Sequence, residues 1–345
     1  MFYGISVVLL LLICTLTYGF WRLARPAPVL RTIPMILVQH NCDQYQNEEE
    51  ALARCVSLSR QGIEAMRAQG KEPAMIVWSE TALILPYKGN RYYQEHRPIP
   101  FLEESDIPIL TGAPIAEPES TTSADIYNGA ILVQRGKIIS GYAKQQLIPF
   151  AESIPFSSKE WMQRFMDKFV GFSSGWAAGS DPVIMEIPGK AVDGSGVLFK
   201  FGAPICFEDA FALLCRDIIA GGAEALINLT NDSWSQSISA EVQHLAAARF
   251  RAVENRRPLV RSTNSGCTVH IDARGIIRAS LPLFTSDYLA LDLPLEAGKP
   301  TVYFLFGDWF PLLCAAMIIV LKTKNGVYLC DIGMKKLSEE TINTL

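Results

Sequence analysis

Gly-Ala-Pro-Ile-Cys-Phe-Glu-Asp-Ala-Phe, residues Gly202 to Phe211, is the stretch from which the rest of the chain is read. The run before it, Gly196–Pro204, has the make-up of a buried strand, and Phe207–Ala220 after it reads as a helix. Cys206 therefore sits at a strand-to-helix junction, where backbone N–H groups and the positive helix end favour a thiolate. Glu208 and Asp209 in the first turn oppose that charge, so a nucleophilic Cys206 needs a nearby cation or a base that takes its proton during attack. Glu80, closing the apolar run that ends at Trp78, and Lys144, after the strand-like Lys137–Ala143, can supply both. Such a Cys/Glu/Lys set suits acyl transfer through a thioester, with the oxyanion held by Lys144 and the backbone N–H after the cysteine. Taken alone, a cysteine after a strand is more often a small buried hydrophobe.

Strand-like and helix-like runs alternate outward from this point, which argues for an α/β domain. The strand candidates are Pro34–Gln39, Met75–Ser79, Pro108–Gly112, Gly129–Gln134, Lys137–Ala143, Gly196–Pro204, Ala225–Thr230, Pro258–Thr263 and Cys267–Asp272. Helices are expected over Asn47–Ala68, Phe207–Ala220 and Ser239–Asn255. In the last of these, Val242, Leu245, Ala246, Phe250 and Val253 form a stripe expected to be buried, with Arg249 and Arg256 on the outer face. Arg135-Gly136 makes Gly129–Ala143 a hairpin that delivers Lys144 at its far end. Ser157–Ser180 reads either as a packed surface helix or as a lid near lipid.

The 345 residues are 49% hydrophobic, enough for a sizeable core. A net charge of -4, from 31 basic and 35 acidic residues spread evenly, gives no field that would draw nucleic acid. Phe2 to Phe20 is an uncharged, mostly apolar run close to the ~20 residues of a membrane-spanning helix. It lacks the basic start and small-residue cleavage site of a signal peptide, the competing reading. A second such run, Val302–Leu321, contains Asp308 and Pro311; its rival reading is a buried core helix. Lys322, Lys324, Lys335 and Lys336 place the tail in the cytoplasm, whereas Arg22, Arg25 and Arg31 argue the opposite orientation. The eight cysteines show no metal-ligand spacing, so neither zinc nor another metal is expected; Cys42–Cys55 is an option for a disulfide in an oxidising compartment.

Three segments resemble the catalytic words of the nitrilase, or carbon-nitrogen hydrolase, superfamily: Trp-Ser-Glu-Thr-Ala at Trp78–Ala82, Lys-Gln-Gln-Leu-Ile-Pro-Phe-Ala-Glu at Lys144–Glu152, and Cys-Phe-Glu-Asp-Ala-Phe at Cys206–Phe211. Asn228–Trp234, Gln243–Pro258 and Phe306–Trp309 narrow the likeness to the apolipoprotein N-acyltransferase family. The resemblance covers roughly Pro34 to Leu321 and implies a nitrilase-like αββα sandwich, residues 26–300, flanked by transmembrane helices at 1–25 and 301–322 and a cytoplasmic tail at 323–345. It also implies transfer of a fatty acyl chain from a phospholipid to the amino group of a lipoprotein's diacylglyceryl-cysteine, at the periplasmic face of the bacterial inner membrane, without a cofactor.

In that reading Glu80 is the base, Lys144 the oxyanion stabiliser and Cys206 the nucleophile, with Glu152 and Glu208 in support. Asn231 and Asp232 are expected to hold a turn beside the site, and His244 to be a core or supporting residue rather than a base. The chain departs from the family pattern in having Phe207 where Tyr is common, Ala240-Glu241-Val242 where Gly-Pro-Trp is expected, and Tyr45 as the nearest aromatic after the first strand. Family members carry several membrane helices before the catalytic domain, against one here, so the chain reads as half of a split enzyme with a separate membrane-helix subunit, a truncated frame, or a minimal form. The rival functions are a membrane-tethered amidase acting on a small amide and an inactive remnant that binds a partner.

Overall fold

Alternation along one strand sets the layers. Strand β1 (Val29–Gln39) sends Ile33, Met35 and Leu37 into one buried cluster and Ile36 and Val38 into another, the two-residue period of a strand covered on both faces. The first cluster lies between two sheets, where these residues join Phe199, Phe201, Ile227 and Val260. The second lies under helix α2 (Glu48–Ala68), which contributes Cys55, Leu58 and Met66.

In the computed structural model, residues 2–43, 47–87, 99–116, 126–149, 151–153, 176–190, 196–296, 298–320 and 322 are described. One sheet runs in the order β13 (Asp287–Glu296), β1, β2 (Met75–Val77), β3 (Ile109–Ala116), β4 (Ile126–Gln134), β5 (Lys137–Ala143), with the short β6 (Trp176–Ala177) beside β4. The other runs β12 (Ile277–Ser280), β11 (Val269–Ile271), β10 (Leu259–Thr263), β9 (Ala225–Thr230), β8 (Gly196–Gly202), β7 (Ile184–Lys190). The parallel strands β1, β2 and β3 of the first sheet and β8, β9 and β10 of the second are flanked by antiparallel ones. Loops at the carboxyl ends of parallel strands are where α/β folds place their sites, and the residues after β2, β8 and β9 recur below. The short helix α3 (Pro100–Glu104) packs beside β4, while α4 (Ala212–Ala220) and α5 (Ile238–Asn255) pack on the second sheet.

The α/β sandwich, the hairpin at Arg135-Gly136 and the strands Lys137–Ala143 and Ala225–Thr230 agree with the expectation from sequence. Four strands, β6, β7, β12 and β13, lie where none was expected. The helix expected over Phe207–Ala220 is divided: Cys206–Ala210 is a 3-10 turn, Phe211 is extended, and α4 follows. Cys42 and Cys55 are both free thiols. Most of Ser157–Ser180, Tyr45 and the tail beyond 322 lie outside the described residues.

Helix α5 overturns the expected stripe. Of its five members only Leu245 is buried; Val242, Ala246, Phe250 and Val253 are exposed, and the helix instead buries Glu241, His244, Arg251 and Asn255. Ion pairs and hydrogen bonds reverse the orientation that apolar spacing favours: His244 bridges two aspartates, and Arg251 Nη1 donates to the Ala210 carbonyl at 2.7 Å.

Residues Met1–Lys299 form one compact unit and Pro300–Leu345 another. In the first, α1 spans Phe2–Ala24, with described side chains at Ser6 and from Val8 onward. In the second, the run expected to be one helix is broken after α6 (Val302–Phe306) by Gly307, whose φ is 61°; α7 follows at 309–320. Among the described residues no helix is long and apolar enough to cross a membrane.

Gly112 in β3 lies against the turn after β2, where an added Cβ would meet the Thr81 backbone nitrogen and stand 2.6 Å from Glu80 Cα. Backbone cannot yield there as a flexible side chain can. Gly112→Ala is expected to cost about 1–3 kcal/mol, seen as a lower midpoint in thermal unfolding; an unchanged midpoint would show that the turn has room.

Candidate active site

Cys206 enters the site on a strained turn. It is buried and adopts a left-handed φ of 53°, a conformation costly for a residue with a Cβ. The turn is pinned at each side. Asn228 Nδ2 donates to the Cys206 carbonyl at 2.9 Å and to the Pro204 carbonyl at 3.1 Å. Glu208 Oε2 accepts the Ile205 N–H at 2.8 Å. Thr81, after Glu80, is also left-handed at 48°, so two such residues flank the site.

Glu208 ties the two walls together. Besides the Ile205 N–H, it accepts the N–H groups of Gln145 and Gln146 at 2.7 and 3.0 Å and the Tyr142 hydroxyl at 2.9 Å. One fully buried carboxylate thus joins the cysteine turn of the second sheet to the end of β5 in the first. Burial pushes its pKa up, and the four donors act against that shift.

Lys144 follows β5 and is fully buried, its backbone held by the Asn128 carbonyl at 2.8 Å and by the Gly179 N–H at 2.8 Å. Its Nζ donates to Glu152 Oε1 at 2.7 Å and to Glu80 Oε1 at 3.3 Å. Burial opposes the ammonium charge, but Glu80, Cys206 and Glu152 together hold its pKa above the usual lysine range. Glu80 also accepts from Asn128 Nδ2 at 2.8 Å and, through Oε2, from the Asn231 N–H at 2.8 Å. Glu152 accepts from the same Asn128 amide at 3.1 Å and from the Ile148 N–H at 3.0 Å. The structure therefore gathers Glu80, Lys144 and Glu152 into one hydrogen-bonded group, with Cys206 close enough to feel Glu80 and Lys144 electrostatically.

The need for a base that takes the thiol proton during attack, read from Glu208 and Asp209 in the sequence, is strengthened by the site. Burial first and Glu80 second push the Cys206 pKa well above its ordinary value, against the pull of Lys144. A buried thiol of this kind reacts only if its proton leaves as attack proceeds, and Glu80 has the carboxylate for that step. With its pKa held above the usual lysine range, Lys144 suits stabilising an oxyanion better than donating a proton.

Sequence reasoning missed Asn128, the amide that spaces Glu80 and Glu152, and Tyr142; neither stands in a run with a chemical signature. Asn231 does hold the turn beside the site, through its N–H and through Nδ2 to Thr81 Oγ1 at 3.2 Å. Asp232 belongs to a second buried cluster. His244 Nε2 lies 3.0 Å from Asp209 Oδ1 and its Nδ1 3.0 Å from Asp232 Oδ2; Arg261 pairs with Asp209 at 3.5 Å and Asp232 at 3.3 Å. Burial and Arg261 work against a charged His244, yet the two aspartates raise its pKa to about 9. Burial opposes the Asp232 charge as well, but His244 and Arg261 hold its pKa below the usual value. Glu241 is pushed up to about 7 by burial and by Asp232. Among the described residues no group of three or more His, Cys, Asp or Glu could hold a metal ion.

Two outcomes test this geometry. Glu208→Ala leaves four donors without their carboxylate and is expected to lower unfolding stability by about 3–5 kcal/mol, measured by denaturant titration; a loss below about 1 kcal/mol would mean that water replaces it. The His244 proton contributes its full stability below the unfolded value of 6.5, and that contribution is lost as pH rises through about 9. Glu241 loses stability over an earlier window, from 4.5 to about 7. The thermal midpoint should therefore fall between pH 7 and 9, and His244→Gln should flatten that slope; a flat wild-type profile would contradict a charged His244.

The profile of the Carbon-nitrogen hydrolase family matches residues 37–303, which span both sheets and every residue of the site. A Treponema denticola protein named apolipoprotein N-acyltransferase 2 is 41% identical over 303 residues, 86% of this chain and 55% of that protein. One of the same name from Treponema pallidum is 34% identical over 342 residues, 92% of this chain and 60% of its own length. The chain thus spans little more than half the length of these curated relatives. Among solved structures, the fold is similar to Saccharomyces cerevisiae Nit3, a member of branch 10 of the nitrilase superfamily (TM-score 0.52, 18% identity, 78% of this chain and 93% of that one). It is also similar to glutamine-dependent NAD+ synthetase from Acinetobacter baumannii (TM-score 0.53, 14% identity, 79% and 49%). With the match running from β1 to β13, and with the cysteine turn, the Glu80 loop and the Lys144 hairpin inside it, the chain belongs to the carbon-nitrogen hydrolase family.

Proposed function

We propose that this protein is a membrane-associated acyltransferase that moves a fatty acyl chain from a phospholipid, through a thioester on Cys206, to the amino group of a lipoprotein's diacylglyceryl-cysteine. The observation that carries the acyl chemistry is the buried Lys144 charge, held between Glu80 and Glu152 and coupled to the Cys206 thiol. The names of the relatives support the lipid and lipoprotein substrates. Exposed Phe207 and Phe211, edge to face beside the nucleophile, and Trp234 and Ile238 after the Asn231 turn offer apolar surface to an acyl chain.

In the first half-reaction Cys206 Sγ attacks the ester carbonyl while Glu80 takes the thiol proton. The oxyanion lies toward Lys144 Nζ and the Phe207 N–H, which opens a helical turn and has no acceptor within it. Collapse breaks the ester C–O bond; the lysophospholipid oxygen leaves with the proton from Glu80, and the acyl group stays on sulfur. In the second half, Glu80 takes a proton from the attacking amine, the C–S bond breaks, and the proton returns to the thiolate as the amide forms. Glu152 and Glu208 act through others: Glu152 positions Lys144, and Glu208 positions the cysteine turn.

Membrane attachment rests on α1. It has no acidic residue in its first turn and exposes large apolar side chains from Val8 to Leu16; Arg22 in its last turn and Arg25 just after it stack on Trp21 at 5.6 and 5.3 Å. Aromatic and basic residues at a helix end suit the bilayer interface. We place the chain in the bacterial inner membrane with the catalytic unit on the periplasmic side.

Incubation with phospholipid vesicles should yield a fatty acyl adduct on the intact protein that hydroxylamine removes and Cys206→Ala abolishes. An adduct that persists in Cys206→Ala would refute the assignment of the nucleophile. Turnover of small amides with no lipid-derived thioester would favour a hydrolase instead.

A further inference from the structure

The stripe of α5 that turns outward is exposed along the length of the helix, with Val253 at its end lying beside Gly275. Ile238, Val242, Ala246, Phe250 and Val253 follow one another at steps of four, four, four and three, which keeps them on one face of the helix, and all are exposed; Phe250 is 62% exposed. Such a ridge is the reverse of what a helix packed on a sheet normally shows water. Its first turn follows in sequence on the exposed Trp234 and on Asn231, whose N–H donates to Glu80, and its last reaches the foot of α1, where Arg256 Nη2 donates to the Tyr18 hydroxyl at 2.9 Å.

At that foot the ridge is cleft. A cavity of about 270 Å3 is lined by Ala246, Arg249, Phe250, Val253, Arg274 and Gly275. Arg249 Nε donates to the Gly275 carbonyl at 2.9 Å, and the structure gives its terminal nitrogens no other partner among the described residues. Arg274 donates to the Leu23 carbonyl at the end of α1 and to Asp272, but its Nε is buried without an acceptor. Asp272 also engages Arg278, and Glu296 lies near all three. Arg249 and Arg256 bond only neutral groups, and Arg22 at the end of α1 and Arg25 just beyond it add further charge, so basic charge is in excess.

We infer that this cleft and ridge form a docking site for an anionic phospholipid of the bilayer, separate from the site of acyl transfer. The phosphate lies against Arg249 and Arg274, and the lipid's apolar part lies along Phe250, Val253 and Ala246. Apolar side chains flanked by guanidinium groups match the interfacial zone of a membrane, where each basic residue near an anionic surface strengthens binding. Continuity with α1 sets the geometry: the helix enters the bilayer at one end of the ridge, and the segment that follows Trp234 is brought to the lipid surface at the other. The inference rests on α1 entering the bilayer, proposed above, and not on the acyl chemistry.

The test uses the full chain carrying Cys206→Ala, which cannot form the thioester, reconstituted in vesicles of phosphatidylethanolamine and phosphatidylglycerol. A photoreactive p-benzoylphenylalanine replaces Phe250, or in parallel samples Leu12 of α1 or Val197 in β8, and adducts are read by intact mass. The site predicts phospholipid adducts at 12 and 250 and none at 197. It also predicts that the yield at 250 falls about fivefold when phosphatidylcholine replaces phosphatidylglycerol or when Arg249→Glu is added. Adducts at 12 without any at 250, equal yields at 250 and 197, or a chain-to-chain adduct at 250 would each overturn the docking site while leaving α1 in the membrane. Absence at both 12 and 250 would overturn the membrane reading of α1 and this inference with it.

Discussion

A positive charge buried out of reach of water is the constraint on which the site depends. Lys144 is fully buried, and desolvation works against its charge. It stays charged because Glu80 and Glu152 converge on Nζ, and each carboxylate is in turn fixed by Asn128 and by a backbone N–H, from Asn231 and Ile148. Buried ion pairs are costly unless their remaining acceptors are satisfied, and here those are. Such a network holds a carboxylate and a cation at fixed positions, the kind of preorganisation that electrostatic catalysis requires.

The two-sheet architecture makes that arrangement possible. The Glu80 turn and the Lys144 hairpin belong to one sheet; the cysteine turn and Asn231 belong to the other. Packing between the sheets brings the loops together, but apolar side chains do not fix their register to a fraction of an ångström. Polar ties do that, with Glu208 spanning from Ile205 to Gln145 and Gln146, and Glu80 reaching the Asn231 N–H. Behind them His244 and Arg261 join Asp209, three residues beyond Cys206, to Asp232, beside Asn231. That second cluster also keeps the apolar side of α5 outward, so one set of ion pairs both braces the site and sets the exposed face of the helix.

Much of this was legible in the chain. Strand-like runs ending in Glu80, Lys144 and Cys206 located the parts, because strands with strong apolar and β-branched content declare themselves and the chemistry sits at their ends. Strands β7, β12 and β13 were not legible: Pro188 and Gly189 interrupt the first, and β13 pairs with β1 across more than two hundred residues of sequence. The α5 stripe misled for a physical reason, since apolar spacing predicts burial only where no buried charges compete, and the aspartates facing His244 come from distant segments. For the Cys206 thiol, the acidic first turn pointed to a base being needed, but the largest opposing influence, burial at a tight turn, was not legible.

The most direct measurement follows the acyl group across both half-reactions. The chain in vesicles whose phospholipid carries an isotopically labelled acyl chain is mixed with a synthetic peptide bearing an N-terminal diacylglyceryl-cysteine, and the peptide is analysed by mass spectrometry. The account predicts a labelled amide on the peptide amino group and none when Glu80→Gln or Cys206→Ala replaces the wild type. Release of labelled free fatty acid with an unmodified peptide would contradict it.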